Sequence, residues 1–138
     1  MSALLQIEDL SIAFGQGGRQ TPVVQGVNLT LNAGETLALV GESGSGTSIT
    51  ALSVPQLLPY PLASHPTGRI LVEGESLIGA STATLRRFRG GALGMVFQEP
   101  MTSLNPVHTL EKQIGETLRI HQGLSAAAAR DRIVELLE

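Results

Sequence analysis

Cysteine is missing from all 138 residues, which excludes a disulfide framework and a thiolate metal site. No run of about 18 apolar residues occurs, so no segment reads as a membrane-spanning helix. The opening residues Met1 to Gln6 carry no basic side chain and run into Glu8 and Asp9, which excludes the basic start of a secretory leader. Charge is sparse, at 15% of residues, and nets to −3. That leaves no electrostatic reason to expect nucleic acid or an anionic membrane surface as partner. Internal repeats and low-complexity linkers are also missing. The expectation is a cytoplasmic chain, soluble or docked on a membrane partner.

What is present is apolar and glycine-rich. Hydrophobic residues make up 42% of the chain, too many for a disordered segment. The 16 glycines fall in short turns, as in α/β proteins with tight strand-to-helix loops. Leu5 to Phe14 reads as a first strand and Gly15 to Gly18 as a turn. Val27, Leu29 and Leu31 alternate with polar residues, the period of a half-buried strand. Asn32 to Glu35 reads as a turn. Thr36 to Val40 and Leu93 to Phe97 are short apolar runs, expected to be strands buried on both faces. Ile70 and Val72 mark a strand entering a turn at Gly74, and Thr84 to Arg89 a short helix. Thr109 is expected to cap a helix with the stripe Leu110, Ile114 and Leu118, ending at Gly123. Ser125 is expected to cap another, with Ile133, Leu136 and Leu137 facing inward. The composition changes near Gln98. This suggests an α/β core with an antiparallel region over residues 1–98 and the beginning of a helical subdomain over 99–138.

The strongest signal is Gly41-Glu42-Ser43-Gly44-Ser45-Gly46-Thr47-Ser48, the G-x-x-x-x-G-x-S frame of a phosphate-binding loop between an apolar run and a helix. Glycines let backbone N–H groups turn towards phosphate oxygens with no Cβ in the way. Ser48 would place a hydroxyl on Mg²⁺. A plain glycine turn capping a helix is the alternative. Lysine is expected at position 47, and threonine stands there. A hydrogen bond to a charged group contributes roughly 1.5–3 kcal/mol, so its loss should weaken nucleotide binding by about 10- to 150-fold. Hydrolysis should suffer more, because the lysine also stabilises transition-state charge. Pro55 either interrupts a helix from Thr47 towards Leu58, at about 3 kcal/mol or more, or lies beyond a shorter one ending near Val54.

Three segments together resemble ABC-transporter ATPases. Glu35 to Gly46 resembles their P-loop strand and turn. Val96-Phe97-Gln98-Glu99-Pro100-Met101-Thr102-Ser103-Leu104-Asn105-Pro106 resembles the Q-loop of the dipeptide, oligopeptide, nickel and microcin-type importers. Ile7 to Phe14 resembles the first strand and adenine-stacking loop. The resemblance implies an ATP- and Mg²⁺-binding P-loop fold that couples ATP to uptake of peptides or similar solutes. Its partners would be transmembrane permease subunits and a second ATPase subunit, on the cytoplasmic face of the inner membrane. It implies that Phe14 stacks on adenine, although a lone Phe after a strand also serves as core. It implies that Gln98 ligands the metal or positions water. Arg86, Arg87 and Arg89 read as a solvated face, and His65, His108 and His121 as surface residues without ligand spacing.

Residues 1–138 do not contain the family's signature segment, its acidic Mg²⁺-binding strand with the adjacent glutamate, or its switch histidine. The expectation is a truncated ATP-binding subunit that does not hydrolyse ATP by itself. The alternative is a non-catalytic regulatory or docking module that keeps part of the fold. A small nucleotide kinase is disfavoured by the segment from Gln98 to Pro106.

Overall fold

Two long strands with matched alternation form the centre of the first unit. The computed structural model describes residues 3–98 and 104–138. Strand β1 (Ala3–Gln16) and strand β2 (Arg19–Asn32) pair antiparallel around a two-residue turn at Gly17 and Gly18. A short β3 (Ala63–Ser64) and then β4 (Arg69–Val72) pair along the other edge of β1, and β5 (Glu75–Ser76) pairs with β4. Every pairing among these five strands is antiparallel.

Ile7, Leu10 and Ile12 of β1 are all buried, although Ile7 and Leu10 are an odd number of residues apart. A bulge reconciles them. Asp9 adopts φ 45°, its N–H donates to Asn28 Oδ1 at 2.9 Å, and its carbonyl accepts from Thr67 Oγ1 at 2.9 Å. The extra residue returns Leu10 to the inner face. Those three residues pack with Val24, Leu58, Ala63 and Ile70, and Ile49 and Leu52 lie against this core. Each of the fully buried Val, Leu and Ile side chains contributes roughly 1.5–3 kcal/mol.

Helix α1 (Thr47–Ser53) lies against that core and ends before Pro55, with Val54 at its C-cap. The shorter of the two expected helices is therefore the one that forms, and Pro55 interrupts nothing. Helix α2 (Thr82–Phe88) begins where Ser81 Oγ accepts from the Thr84 N–H at 3.2 Å.

The chain divides into two compact units, residues 1–86 and 87–138. In the second, α3 (Leu110–Gln122) and α4 (Ala126–Leu137) form a helical hairpin. Thr109 Oγ1 accepts from Lys112 N, and Ser125 Oγ from Ala128 N, as N-caps do. Gly123 ends α3 in the left-handed region. Leu118, Ala129 and Ile133 are the buried contacts, with Ile114 and Leu124 beside them. Leu136 and Leu137 were expected inside and are 52% and 58% exposed, because this small core does not reach the last turn of α4.

Two expected strands do not form. Thr36 to Val40 has no regular structure, and Leu93 makes only an isolated bridge to Arg89 before residues 94–97 continue without any. Val40 is 87% and Val96 91% exposed, far from burial on both faces. A strand exists only through hydrogen bonds to a neighbour. Among the described residues neither run joins the sheet, whose order β2-β1-β4-β5 includes no strand from either.

Candidate nucleotide-binding site

The loop from Gly41 to Ser48 opens onto α1 and is seated on β2. Gly44 and Gly46 adopt φ of 87° and 90°, conformations that a side chain resists. Gly46 has a second constraint, since a Cβ there would lie 2.7 Å from Val24 Cγ2. Gly46 is buried, and its carbonyl accepts from both Thr50 N and Thr50 Oγ1, at 2.9 and 2.8 Å. A bond from Ser45 N to the Glu42 carbonyl, at 3.0 Å, closes the other side of the loop.

The backbone left over suits an anion. Among the described residues, the amides of Gly44, Gly46, Thr47 and Ser48 donate to no protein acceptor. Glu42, Ser43, Gly44, Ser45 and Ser48 are exposed, so the loop is open to solvent. The Ser48 hydroxyl makes no hydrogen bond among the described residues and is available to a cation. These groups fit the phosphates of a nucleotide and its Mg²⁺. Thr47 fits the lysine role poorly. It is half-buried, and its Cγ2 would lie 3.2 Å from a Cβ on Gly41, so its methyl faces into the loop.

Phe14 is half-buried at the end of β1, opposite Thr21 and Ala63, on the same inner face as Ile12. It packs against the core that also contacts Ile49 of α1. The ring is therefore partly committed to the core and partly open. Phe14 and residues 41–48 belong to one unit and are both attached to the β1–β2 hairpin.

Gln98 belongs to the second unit and is exposed. Glu99 to Ser103, the middle of the expected Q-loop, lies outside the described residues. The end of that segment is held in a way the sequence did not suggest. Gln113 of α3 accepts from Asn105 N at 2.8 Å, and its Nε2 donates to the Asn105 and His108 carbonyls, each at 3.0 Å. A polar residue one turn into a helix, a few residues after an Asn-Pro pair, was the only available hint.

His65 departs from its expected place on the surface. It is half-buried, and burial lowers its pKa below the usual 6.5, partly offset by its bond to the Ser11 carbonyl. His108 and His121 are exposed. A cleft of about 280 Å³ lies between α3 and α4, lined by Lys112, Arg119, Arg130 and Glu111 among others. It contains none of the expected site residues.

Comparison with known proteins agrees with this architecture. The chain is 54% identical over 134 residues to the peptidoglycan transport ATP-binding protein YejF of Agrobacterium fabrum, covering 97% of this chain and 24% of that protein. It is 46% identical over 138 residues to the oligopeptide transport ATP-binding protein OppD of Bacillus subtilis, covering 100% of this chain and 38% of that one. The chain thus spans a quarter to two-fifths of the length of these relatives. The fold matches the ATP-binding cassette MJ0796 in a state bound to ADP and Pi, with a TM-score of 0.78, 22% identity, and coverage of 95% of this chain and 54% of the cassette. That supports the α/β P-loop cassette fold, here with its antiparallel region and first helices. Residues 24–138 match the sequence profile of the ABC transporter family, to which this chain belongs.

Proposed function

We propose that this chain supplies the phosphate-loop side of the ATP site in the ATP-binding subunit of an importer for peptides or similar solutes. The observation that carries the reading is the loop Gly41–Ser48. Gly44 and Gly46 are left-handed, Gly46 is seated on Val24, the amides of Gly44, Gly46, Thr47 and Ser48 are unused among the described residues, and the Ser48 hydroxyl is open. In the proposal these amides hold the phosphates, the Ser48 hydroxyl holds Mg²⁺, and the open part of Phe14 stacks on adenine; for Gln98 the family resemblance alone supports a role as metal ligand or in positioning water. Bound Mg²⁺ would neutralise phosphate charge. The names of the relatives support the solute class; a permease and a second ATPase subunit at the cytoplasmic membrane face are the partners that the family resemblance implies. Residues 99–138 would begin the helical subdomain that meets the permease.

Thr47 favours a second reading, in which the fold is kept for docking or regulation and ATP is bound weakly or not at all. A titration of ATP and ADP, with and without Mg²⁺, separates the two. The first reading expects weak, Mg²⁺-dependent binding that Thr47→Lys tightens by up to about 150-fold. It fails if neither protein binds at millimolar nucleotide.

A further inference from the structure

We propose that His65 is a proton-sensitive joint: unprotonated at Nε2, it ties the end of α1 to β1, and acidification releases the tie. The hydrogen-bond geometry assigns its tautomer. His65 Nδ1 lies 3.3 Å from the Ser11 carbonyl, which can only accept, so Nδ1 carries the proton. Nε2 then presents a lone pair. The Tyr60 hydroxyl bonds to it, and the two rings are 5.5 Å apart. The other group facing Nε2 is Gln56 Nε2, at 3.4 Å. That amide also donates to the Ser53 carbonyl at 2.7 Å, which fixes its NH₂ as the group nearest the histidine.

A continuous path therefore runs from the buried last residue of α1 to β1, through Ser53, Gln56, His65 and Ser11. A proton on Nε2 would set N–H against the Gln56 N–H₂ and force the Tyr60 hydroxyl to turn round. The Gln56 contact is then donor-to-donor, and the Tyr60 contact survives only with its hydroxyl reversed to accept.

The charge pattern isolates this histidine. From Ser43 to Gly68 the sequence has no Asp, Glu, Lys or Arg. Tyr60 is the other titratable side chain in that stretch, and phenols ionise near pH 10. Helix α1 and β3 carry no charge. On the neighbouring strands the charged residues are Glu8 and Asp9 of β1, Arg19 of β2 and Arg69 of β4. Glu8 is paired with Arg69, and none of the four bonds to His65 among the described residues. Among the described residues no carboxylate pairs with His65 to stabilise an imidazolium, and burial acts against one. The inference stands whether or not the loop binds a nucleotide, although α1 joins the two regions.

The test is a pH titration of the ¹⁵N-labelled chain, reading the His65 ring nitrogens and the amides of Ser11, Ser53, Gln56 and Leu57. The proposal expects the Nδ1–H tautomer at pH 7.5 and a midpoint below 6.5, with those amides moving at the same midpoint. Tyr60→Phe should shift the midpoint upward, because the bond favouring the neutral ring is lost. His65→Gln should abolish the amide response. An Nε2–H tautomer overturns the proposal, as do amides that stay still while the ring titrates. If Tyr60→Phe does not fold, the wild-type tautomer and amide response decide.

Discussion

Gly46 and Val24 are packed so closely that a Cβ on the glycine would lie 2.7 Å from the valine Cγ2. The phosphate loop is thereby fixed to β2 as well as to its own helix. Gly46→Ala meets both this contact and a φ of 90°, so it should cost about 1–3 kcal/mol in urea unfolding. Gly44→Ala meets open space and only the backbone term, at φ 87°, and should cost about 1–2 kcal/mol. Equal losses would mean that the contact with Val24 relaxes freely.

Binding and hydrolysis should come apart at position 47. A lysine there would add a charge on the phosphates, but residues 1–138 hold no acidic strand with a catalytic glutamate. Thr47→Lys should therefore bind ATP more tightly and still release no phosphate above background. Turnover that rises with protein concentration and disappears in Ser48→Ala would refute this.

The two apolar runs that fail to pair should drive association. Val40 and Val96 are almost wholly exposed, and unpaired extended backbone invites another chain. Light scattering after size exclusion at low micromolar concentration should show oligomers. Val40→Lys with Val96→Lys should shift them towards monomer with little change in stability, since neither valine is buried. A clean monomer in the wild type would remove the basis for this expectation.

Gln113 holds Asn105 by its N–H and its carbonyl, and also reaches His108. Gln113→Ala removes these three bonds and a longer one to the Thr109 carbonyl, at 3.4 Å, from a half-buried position on α3. At roughly 0.5–1.5 kcal/mol per net bond in full burial, and less with water competing, the total should be about 1 kcal/mol. The clearer readout is local: faster hydrogen exchange at Asn105, with the exchange of Leu118 unchanged. Unchanged exchange at Asn105 would show that Pro106 and the Thr109 cap fix this turn alone.

Local rules carried the sequence reading where structure is local. The caps at Thr109 and Ser125 and the stop at Gly123 depend on a few adjacent residues, and all three formed as expected. Apolar composition marked the core of β1 and alternation the second half of β2, while the first half of β2, from Arg19 to Gly26, was not read as strand, and the turn is confined to Gly17 and Gly18 within the expected Gly15–Gly18. The runs at Thr36–Val40 and Leu93–Phe97 were misjudged because apolar composition describes what a strand could bury, and pairing requires a partner that composition does not name. The loop Gly41–Ser48 was legible because its frame is contiguous. The seat on Val24, the clamp from Gln113 and the bonds of His65 were not, because each joins residues distant in sequence or depends on side-chain direction.

Stability should fall on the acid side, with His65 as one identifiable source. Burial holds the folded pKa of His65 below the usual 6.5, so the unfolded chain takes up this proton first. The contribution of the neutral histidine is complete above the unfolded value and is lost as pH falls from about 6.5 through the lower folded value. One proton can give a slope of at most about 1.4 kcal/mol per pH unit. Carboxylates can add their own acid sensitivity, so the useful quantity is the difference between wild type and His65→Gln. That difference should be flat from pH 7.5 to 9 and should shrink, to the disadvantage of wild type, below pH 6.5. Urea unfolding at half-unit pH intervals measures it. A constant difference across the acid range would show that the histidine keeps one charge state on folding, and a difference growing in favour of wild type would reverse the sign of the shift.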